Sequence, residues 1–295
     1  MGSIIVPVDD QLCSTLKIGS DAFPFQLFHD DLSQFVQGFV NWHRQNEIEI
    51  SCILEGSVRV CLLKEEYILH AGDAFVLLPH ALHSIQPIPG KAGKYFTLIF
   101  SPAFLTGFPG SYFDQAWYAP IASGAGSYIP IPKDASEIFA HLRFICKNAQ
   151  DPSDSTRLLL QRHLQDLWIA LAQQVHPAPS HTVSPEEDKR ILRMIDDLRA
   201  HHAEPFSLAQ LAERMHLSRG ECCRHFKKMM GMTLTDYLID YRLSKAAELL
   251  MHTQMHMAEI ALSTGFSSPS SFSAEFKKRL GCTPSQYRHS MRQSP

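Results

Sequence analysis

The spacing of apolar positions changes character along the chain. Over the first 130 residues the apolar side chains alternate with polar ones or run in short blocks: EIEISCILEGSVRVCLL, EEYILHAGDAFVLLPH and KYFTLIF. Period two predicts strands, and LEGS (54–57) and HAGDA (70–74) read as the turns between them. Many short strands with glycine turns predict a β-sandwich or barrel over 1–130. The spacing then shifts to three and four, which predicts a pair of helices over 134–148 and 154–175. The second carries Leu160, Leu164, Leu167 and Leu171 as one apolar stripe. HPAPSHTVS (176–184) has no period and reads as a linker.

From 185 to 295 every signal is helical. Ser184-Pro185-Glu186-Glu187 has the form of a capping box with proline at the first helical position, so a helix is predicted from there to about His202. FSLAQLAERM (206–215) predicts a second helix, and Ser218-x-x-Glu221 opens a third. DYLIDYRLSKAAELLMH (236–252) reads as a connecting helix of roughly 25 Å at 1.5 Å per residue. Thr283-Pro284-Ser285-Gln286 repeats the capping pattern near the C-terminus.

Within this region the chain writes itself twice. FKKMMGMT from Phe226 and FKKRLGCT from Phe276 share Phe, Lys, Lys, Gly and Thr at an offset of 50, and Tyr237 and Tyr287 extend the match. Upstream, LAQLAERMHLSR (208–219) lies over MAEIALSTGFSS (257–268) at an offset of 49. Each copy is a short helix with a small-residue centre (Ala212, Ala261), a tight turn and a polar N-cap (Ser218; Ser267 or Ser268). A second helix follows, ending in Phe-Lys-Lys and a glycine. That is a helix-turn-helix in duplicate. A plain helical solenoid is disfavoured, because solenoids need about three repeats to bury a core.

Charge supports this division. The net charge of −3 splits into −6 for residues 1–184 (11 Lys/Arg, 17 Asp/Glu) and +3 for residues 185–295 (16 and 13). The basic excess therefore sits with the repeat, the half expected to meet a polyanion. The seven cysteines are scattered without a C-x-x-C pair, as expected of reduced thiols in a cytoplasm. No apolar run reaches the roughly 20 residues that cross a bilayer, and the N-terminus lacks a secretion signal.

The stretches LSRGECCRHFKKMMGMTLTDYLIDYRLSKAAELL and IALSTGFSSPSSFSAEFKKRLGCTPSQYR resemble the two helix-turn-helix units of AraC/XylS-type transcriptional regulators. In the second, G-F-x-x-x-S-x-F-x-x-x-F-K-K-x-x-G-x-T-P-x-x-Y-R is matched at every named position. The resemblance covers about 100 residues. It implies a sequence-specific DNA-binding regulator rather than an enzyme. Double-stranded DNA is its partner, RNA polymerase a further partner if it activates, and a homodimer its expected state. In such a unit the second helix enters the major groove with its N-terminal residues on base edges. On the first reading helix Gly220, Cys223, Arg224 and Lys227 share one face. Arg224 suits a bidentate contact to guanine, Arg219 a base or phosphate, and Lys227 and Lys228 phosphates. The second reading helix starts at Ser268 and presents Pro269, Ser270, Ser273 and Ala274, side chains too small to reach far. Discrimination is therefore expected mainly from the first unit, with Lys277, Lys278 and Arg279 supplying backbone contacts in the second.

NWHRQNEIEISCILEG (41–56) and LHAGDAFVLLPHALHSI (69–85) resemble the two signature stretches of a cupin barrel, with Asn41 where a first histidine would stand. The implied fold is α+β in two domains: an N-terminal cupin-like barrel followed by helices, and a C-terminal all-α double helix-turn-helix. The barrel is expected to hold a small effector, a sugar or related metabolite. Trp42 would stack on it and His43, Glu47 or Glu49, His83 and, further off, His29 would bind its hydroxyls. No cofactor or metal belongs to this reading. Yet His43, one glutamate and His83 are also metal-ligand types, so the alternative is a metal-dependent cupin enzyme with an attached DNA-binding domain. The stripe on 154–175 is expected to mediate dimerisation or to cap the barrel.

Overall fold

The computed structural model describes residues 4–124, 127–151, 153–174 and 185–293; the expected linker at 176–184 lies outside the described residues. The strands are β1 (Phe25–Asp31), β2 (Val40–His43), β3 (Ile48–Leu62), β4 (Glu65–His70), β5 (Ala74–Leu77), β6 (His83–Pro87), β7 (Gly93–Phe100) and β8 (Tyr128–Ile131). Short helices α1 (Ala103–Thr106) and α2 (Ala119–Gly124) precede β8; α3 (Ser136–Asn148) and α4 (Asp154–Gln174) follow it. The C-terminal helices are α5 (Pro185–Ala200), α6 (Leu208–Met215), α7 (Arg219–Met230), α8 (Leu234–His252), α9 (Met257–Ser263), α10 (Pro269–Leu280) and α11 (Pro284–Gln293).

All strand pairs are antiparallel. One path runs β1-β7-β3-β5-β8, and β2, β6 and β4 pair around the far half of β3. The turn expected at LEGS is instead a bend inside a single strand of 15 residues. The register with β7 slips between Ile53 and Glu55, and Gly56 has φ +76°, where a Cβ would lie 1.9 Å from the Ala92 carbonyl oxygen. The bend sends one half of β3 into each sheet, so the sheets face each other over Val58, Val60, Phe75, Leu77, Ile85 and Tyr95. On the other side of the first sheet, Ile48, Ile50, Phe96, Leu98 and Phe100 pack under α3 and α4. The stripe Leu160, Leu164, Leu167 and Leu171 is at most 1% exposed in that same core. It caps the sheet and is not a free dimer face.

The residues shared by the two copies have structural jobs. Phe226 meets Tyr237 edge to face at 5.6 Å, and Phe276 meets Tyr287 the same way at 5.5 Å. Such a pair adds about 1 kcal/mol beyond its buried area. Gly231 and Gly281 close α7 and α10 in the left-handed region (φ +70° and +77°), each donating its N–H to the carbonyl of the preceding Lys227 or Lys277. Thr233 and Thr283 then cap the next helix, accepting from Asp236 N at 3.1 Å and Gln286 N at 3.3 Å. A cap of this kind contributes about 1 kcal/mol.

Two separate cores result. Ile191, Leu211, Phe226, Leu234 and Tyr237 close the first unit; Leu243, Leu250, Ile260, Phe272, Phe276 and Tyr287 close the second. The sheet-rich domain docks on both. Leu12, Trp42, Cys61 and Leu82 join the first core and Val36 joins the second. Lys64 donates its backbone N–H to Met229 O at 2.8 Å and its ammonium to Glu187 at 2.6 Å. Gln37, held at φ +63°, donates to Asp240 O and Ser244 Oγ on α8.

Candidate functional site

The first reading helix begins with a complete capping box: Ser218 Oγ accepts from Glu221 N, and Glu221 Oε2 accepts from Ser218 N at 2.8 Å. This satisfies two N-terminal donors and fixes the entry of α7. Arg219, Gly220, Cys223, Arg224, Lys227 and Lys228 are all exposed on it, while Cys222 and Phe226 turn inward. Gly220 has a local reason: a Cβ there would stand 3.1 Å from Arg224 Nη1, in the path of the guanidinium lying back over the helix. In the second unit Ser270, Ala274, Lys277 and Lys278 are exposed and Ser273 is half-buried. Ser268 is the N-cap of α10, accepting from Ser271 N at 3.1 Å, so its hydroxyl is engaged by its own helix.

Arg279 departs from expectation. It does not point to solvent but bridges to the strut α8, 2.5 Å from Asp240 and 2.9 Å from Asp236, with Glu275 at 3.4 Å on its own helix. Burial pushes the Asp240 carboxyl up to about 6, against the pull of Arg279. Arg279 is thus a clamp between α10 and α8. Its two partners on α8 lie about 40 residues upstream, beyond what helical spacing reveals.

In the sheet-rich domain the strand positions settle what the sequence left open. Glu49 faces inward, paired in register with Ile99 and Leu77, whereas Glu47 precedes β3 and stays outside the cluster. His43, Glu49 and His83 are all at most 5% exposed, with one ligand-type atom of each within 4.8 Å of the others. The imidazole rings lie 4.2 Å apart. Each Nδ1 sits 2.9 Å from a backbone carbonyl, of Asn41 and of Ala81 respectively. A carbonyl only accepts, so both Nδ1 atoms donate and each Nε2 faces the cluster: a lone pair on the neutral His43 ring, and on His83 a lone pair or, when protonated, a positive N–H beside Glu49. Glu49 Oε2 stands 3.5 Å from His83 Nε2 and accepts from Gln45 at 3.1 Å; its Oε1 accepts from Ser51 at 3.0 Å. His83 Nε2 itself makes no hydrogen bond. Burial drives the His43 imidazole down to about 3, so it stays neutral. Burial also raises Glu49, but His83 and the Ser51 hydroxyl outweigh it and hold the carboxyl below its ordinary range.

Two expected effector contacts fall elsewhere. A register irregularity in β2 between Val40 and His43 turns Trp42 out of the interior, into the core shared with α5 and α7. His29 is exposed; its neighbour Asp30 is the inward position on β1, bonded to Thr97, which is 3.2 Å from Ser51. Asp30 and Gln45 escaped sequence reading because the β1 register and the loop before β3 have no local signature.

Residues 34–168 match the family described as AraC-like ligand binding domain, and residues 211–290 the family described as helix-turn-helix domain. The chain is similar to the uncharacterized HTH-type transcriptional regulator YdeC of Bacillus subtilis, 24% identical over 286 residues that span 95% of this chain and 97% of that protein. It is similar to the lactose operon transcription activator of Staphylococcus xylosus, 24% identical over 227 residues, 76% of this chain and 77% of that one. It also resembles the HTH-type transcriptional activator RhaR of Escherichia coli, 24% identical over 280 residues, 92% of this chain and 90% of that one.

Asp30 gives a pH-dependent test of this interior. Burial pushes its carboxyl from 3.8 to about 6, with Glu49 adding to the rise and Thr97 opposing it. The unfolded chain therefore ionises first, and the folded chain keeps a proton between these values. Stability from this group is present below 3.8 and lost as pH rises through about 6. Asp30→Asn is expected to leave stability unchanged at pH 4 and to raise it by about 1–3 kcal/mol at pH 7 in urea unfolding.

Proposed function

Because the chain belongs to the AraC family of transcriptional regulators, we propose that α7 and α10 read one specific stretch of duplex DNA and that a small effector in the sheet-rich domain governs the reading. The observation that supports this most is the duplicated unit itself. Two capped reading helices with exposed Arg224, Lys227 and Lys228, and Lys277 and Lys278, are built onto one helix, α8. A major groove accepts one such helix, and its successor lies one turn, about 34 Å, further along. Arg219 and Arg224 serve the base edges beside Gly220 and Cys223. The second unit contributes Ser270, Ser273, Ala274 and the Ser268-capped helix start, with backbone contacts from its two lysines.

The effector we assign is a sugar or related hydroxylated metabolite. Hydroxyl-binding groups line the interior at His43, Glu49, His83 and Asp30, and one relative is named for a lactose operon. We assign the contacts of a homodimer to the outward residues of α4, Leu158, Leu159 and Ile169, since the leucine stripe is spent in the core. In an activating role RNA polymerase is the further partner, and the cytoplasm is the compartment.

The acceptor geometry at His43, Glu49 and His83 favours a second reading for that interior. Two imidazole nitrogens with their other N–H held by carbonyls, plus a carboxylate, form the donor set and outer shell of a transition-metal site. A metal there would cross-link β2, β3 and β6, and would support the enzyme alternative only if turnover followed. Metal analysis of the purified chain should then give about one equivalent, lost in His83→Ala; a metal-free protein of full stability rejects this reading.

Sites selected from randomised DNA test the main proposal. Arg224→Ala is expected to lose about 1–3 kcal/mol of discrimination at one base pair. Lys277→Ala should weaken all sequences alike and lower the salt slope by about one. Uniform losses for both variants would contradict this division of labour.

A further inference from the structure

The two helices that cap the first sheet, α3 and α4, meet at a pair of histidines. His141 and His163 bring their Nδ1 atoms to 2.8 Å, with the rings 5.0 Å apart centre to centre. Both side chains are half-buried. Phe144, one turn along α3 from His141, stacks on His163 at 3.8 Å with the planes 18° apart, and so fixes its ring. Only one proton fits between two facing Nδ1 atoms, so one ring donates and the other offers a lone pair. Burial, and next the His141 ring, hold the His163 imidazole below its ordinary range. Asp166, one turn on, favours positive charge at His163, and Arg162, 3.6 Å from Asp166, opposes it. Beneath the pair the helices are joined by apolar packing of Ile138, Leu142 and Ile145 against the leucine stripe of α4.

We propose that His141 and His163 form a site for an imidazole-preferring divalent transition metal (copper, nickel or zinc) bound through both Nδ1 atoms. The ring that donates in the free protein then carries its proton on Nε2. Two neutral imidazoles face the ion, and no net proton is released. At a metal–nitrogen length of about 2.1 Å, two cis imidazoles hold their nitrogens about 3.0–3.4 Å apart and their ring centres about 4.6–5.3 Å apart. The 5.0 Å between these ring centres lies in that span, so the rings pivot without moving apart. Asp166 is engaged by Arg162, which leaves the remaining positions to water. The ion would act as a clip across the seam of α3 and α4. It is a different site from the group of three at His43, Glu49 and His83, where a metal would cross-link strands.

The test is copper titration of the full chain without DNA or effector, so it stands or falls apart from DNA reading. Electron paramagnetic resonance counts the coordinated nitrogens, and hydrogen exchange locates the ion. In His83→Ala, which removes the interior candidate, one equivalent of copper is expected to show two nitrogens and to slow exchange in α3 and α4. His141→Phe and His163→Phe should each remove a nitrogen from the spectrum. Each should also lower copper affinity at least about tenfold, the scale on which metal sites weaken when even a supporting contact is lost. Copper should bind more tightly than nickel or zinc, and magnesium should not compete. If His83→Ala fails to fold, the comparison of the unsubstituted chain with the two Phe variants decides. No copper binding, binding untouched by both Phe variants, or slowed exchange confined to β2, β3 and β6 would overturn the proposal.

Discussion

One helix belongs to two hydrophobic cores. Leu234 and Tyr237, at the start of α8, are packed in the first helix-turn-helix unit; Leu243, Ala246, Ala247 and Leu250 are packed in the second. Nineteen residues in a continuous helix span about 28 Å, and neither core can move along that helix without opening the other. Arg279 reinforces the constraint by tying α10 to Asp236 and Asp240. The spacing and relative facing of the two reading helices are therefore properties of one rigid element. Two short units, each with its own core, are thereby held as one body for the duplex reading proposed above.

The sheet-rich domain is coupled to both readers by different means. At the first it offers apolar surface, Trp42 and Leu12 against the α5 and α7 core, and the contacts of Lys64 at the end of α7. At the second it inserts Val36 and pins Gln37 onto α8. Between these two attachments lies a cleft. The polar interior sits behind it, reached through the neighbouring residues Trp42 and His43, which face opposite sides of one strand. Under the proposed function, a ligand in the polar interior acts on this strand by its differential affinity for the arrangements of that strand against the heads.

Local physics makes the helical half legible in the amino-acid order. Capping boxes, glycine C-caps and the Phe–Tyr spacing act within one or two turns, so Ser218, Gly231, Thr233 and their copies carry their meaning in short windows of sequence. The sheet-rich half is legible as strands but not as sides. Whether Glu47 or Glu49 faces inward depends on pairing with β5 and β7, dozens of residues away. Trp42 reads as an interior residue until the irregularity in β2 turns it outward. The glycine turn at LEGS becomes a bend because β3 finds partners in both sheets, which no short window displays. Arg279 looks like its lysine neighbours until two acids of α8 claim it.

Under the proposed function, α8 holds two heads for simultaneous use on one face of a duplex. Hydroxyl-radical footprinting of the full chain on a selected site measures this directly. Two protected windows, centred about 10 base pairs apart on the same face, is the predicted result. A single window no wider than one groove, at saturating protein, would contradict it.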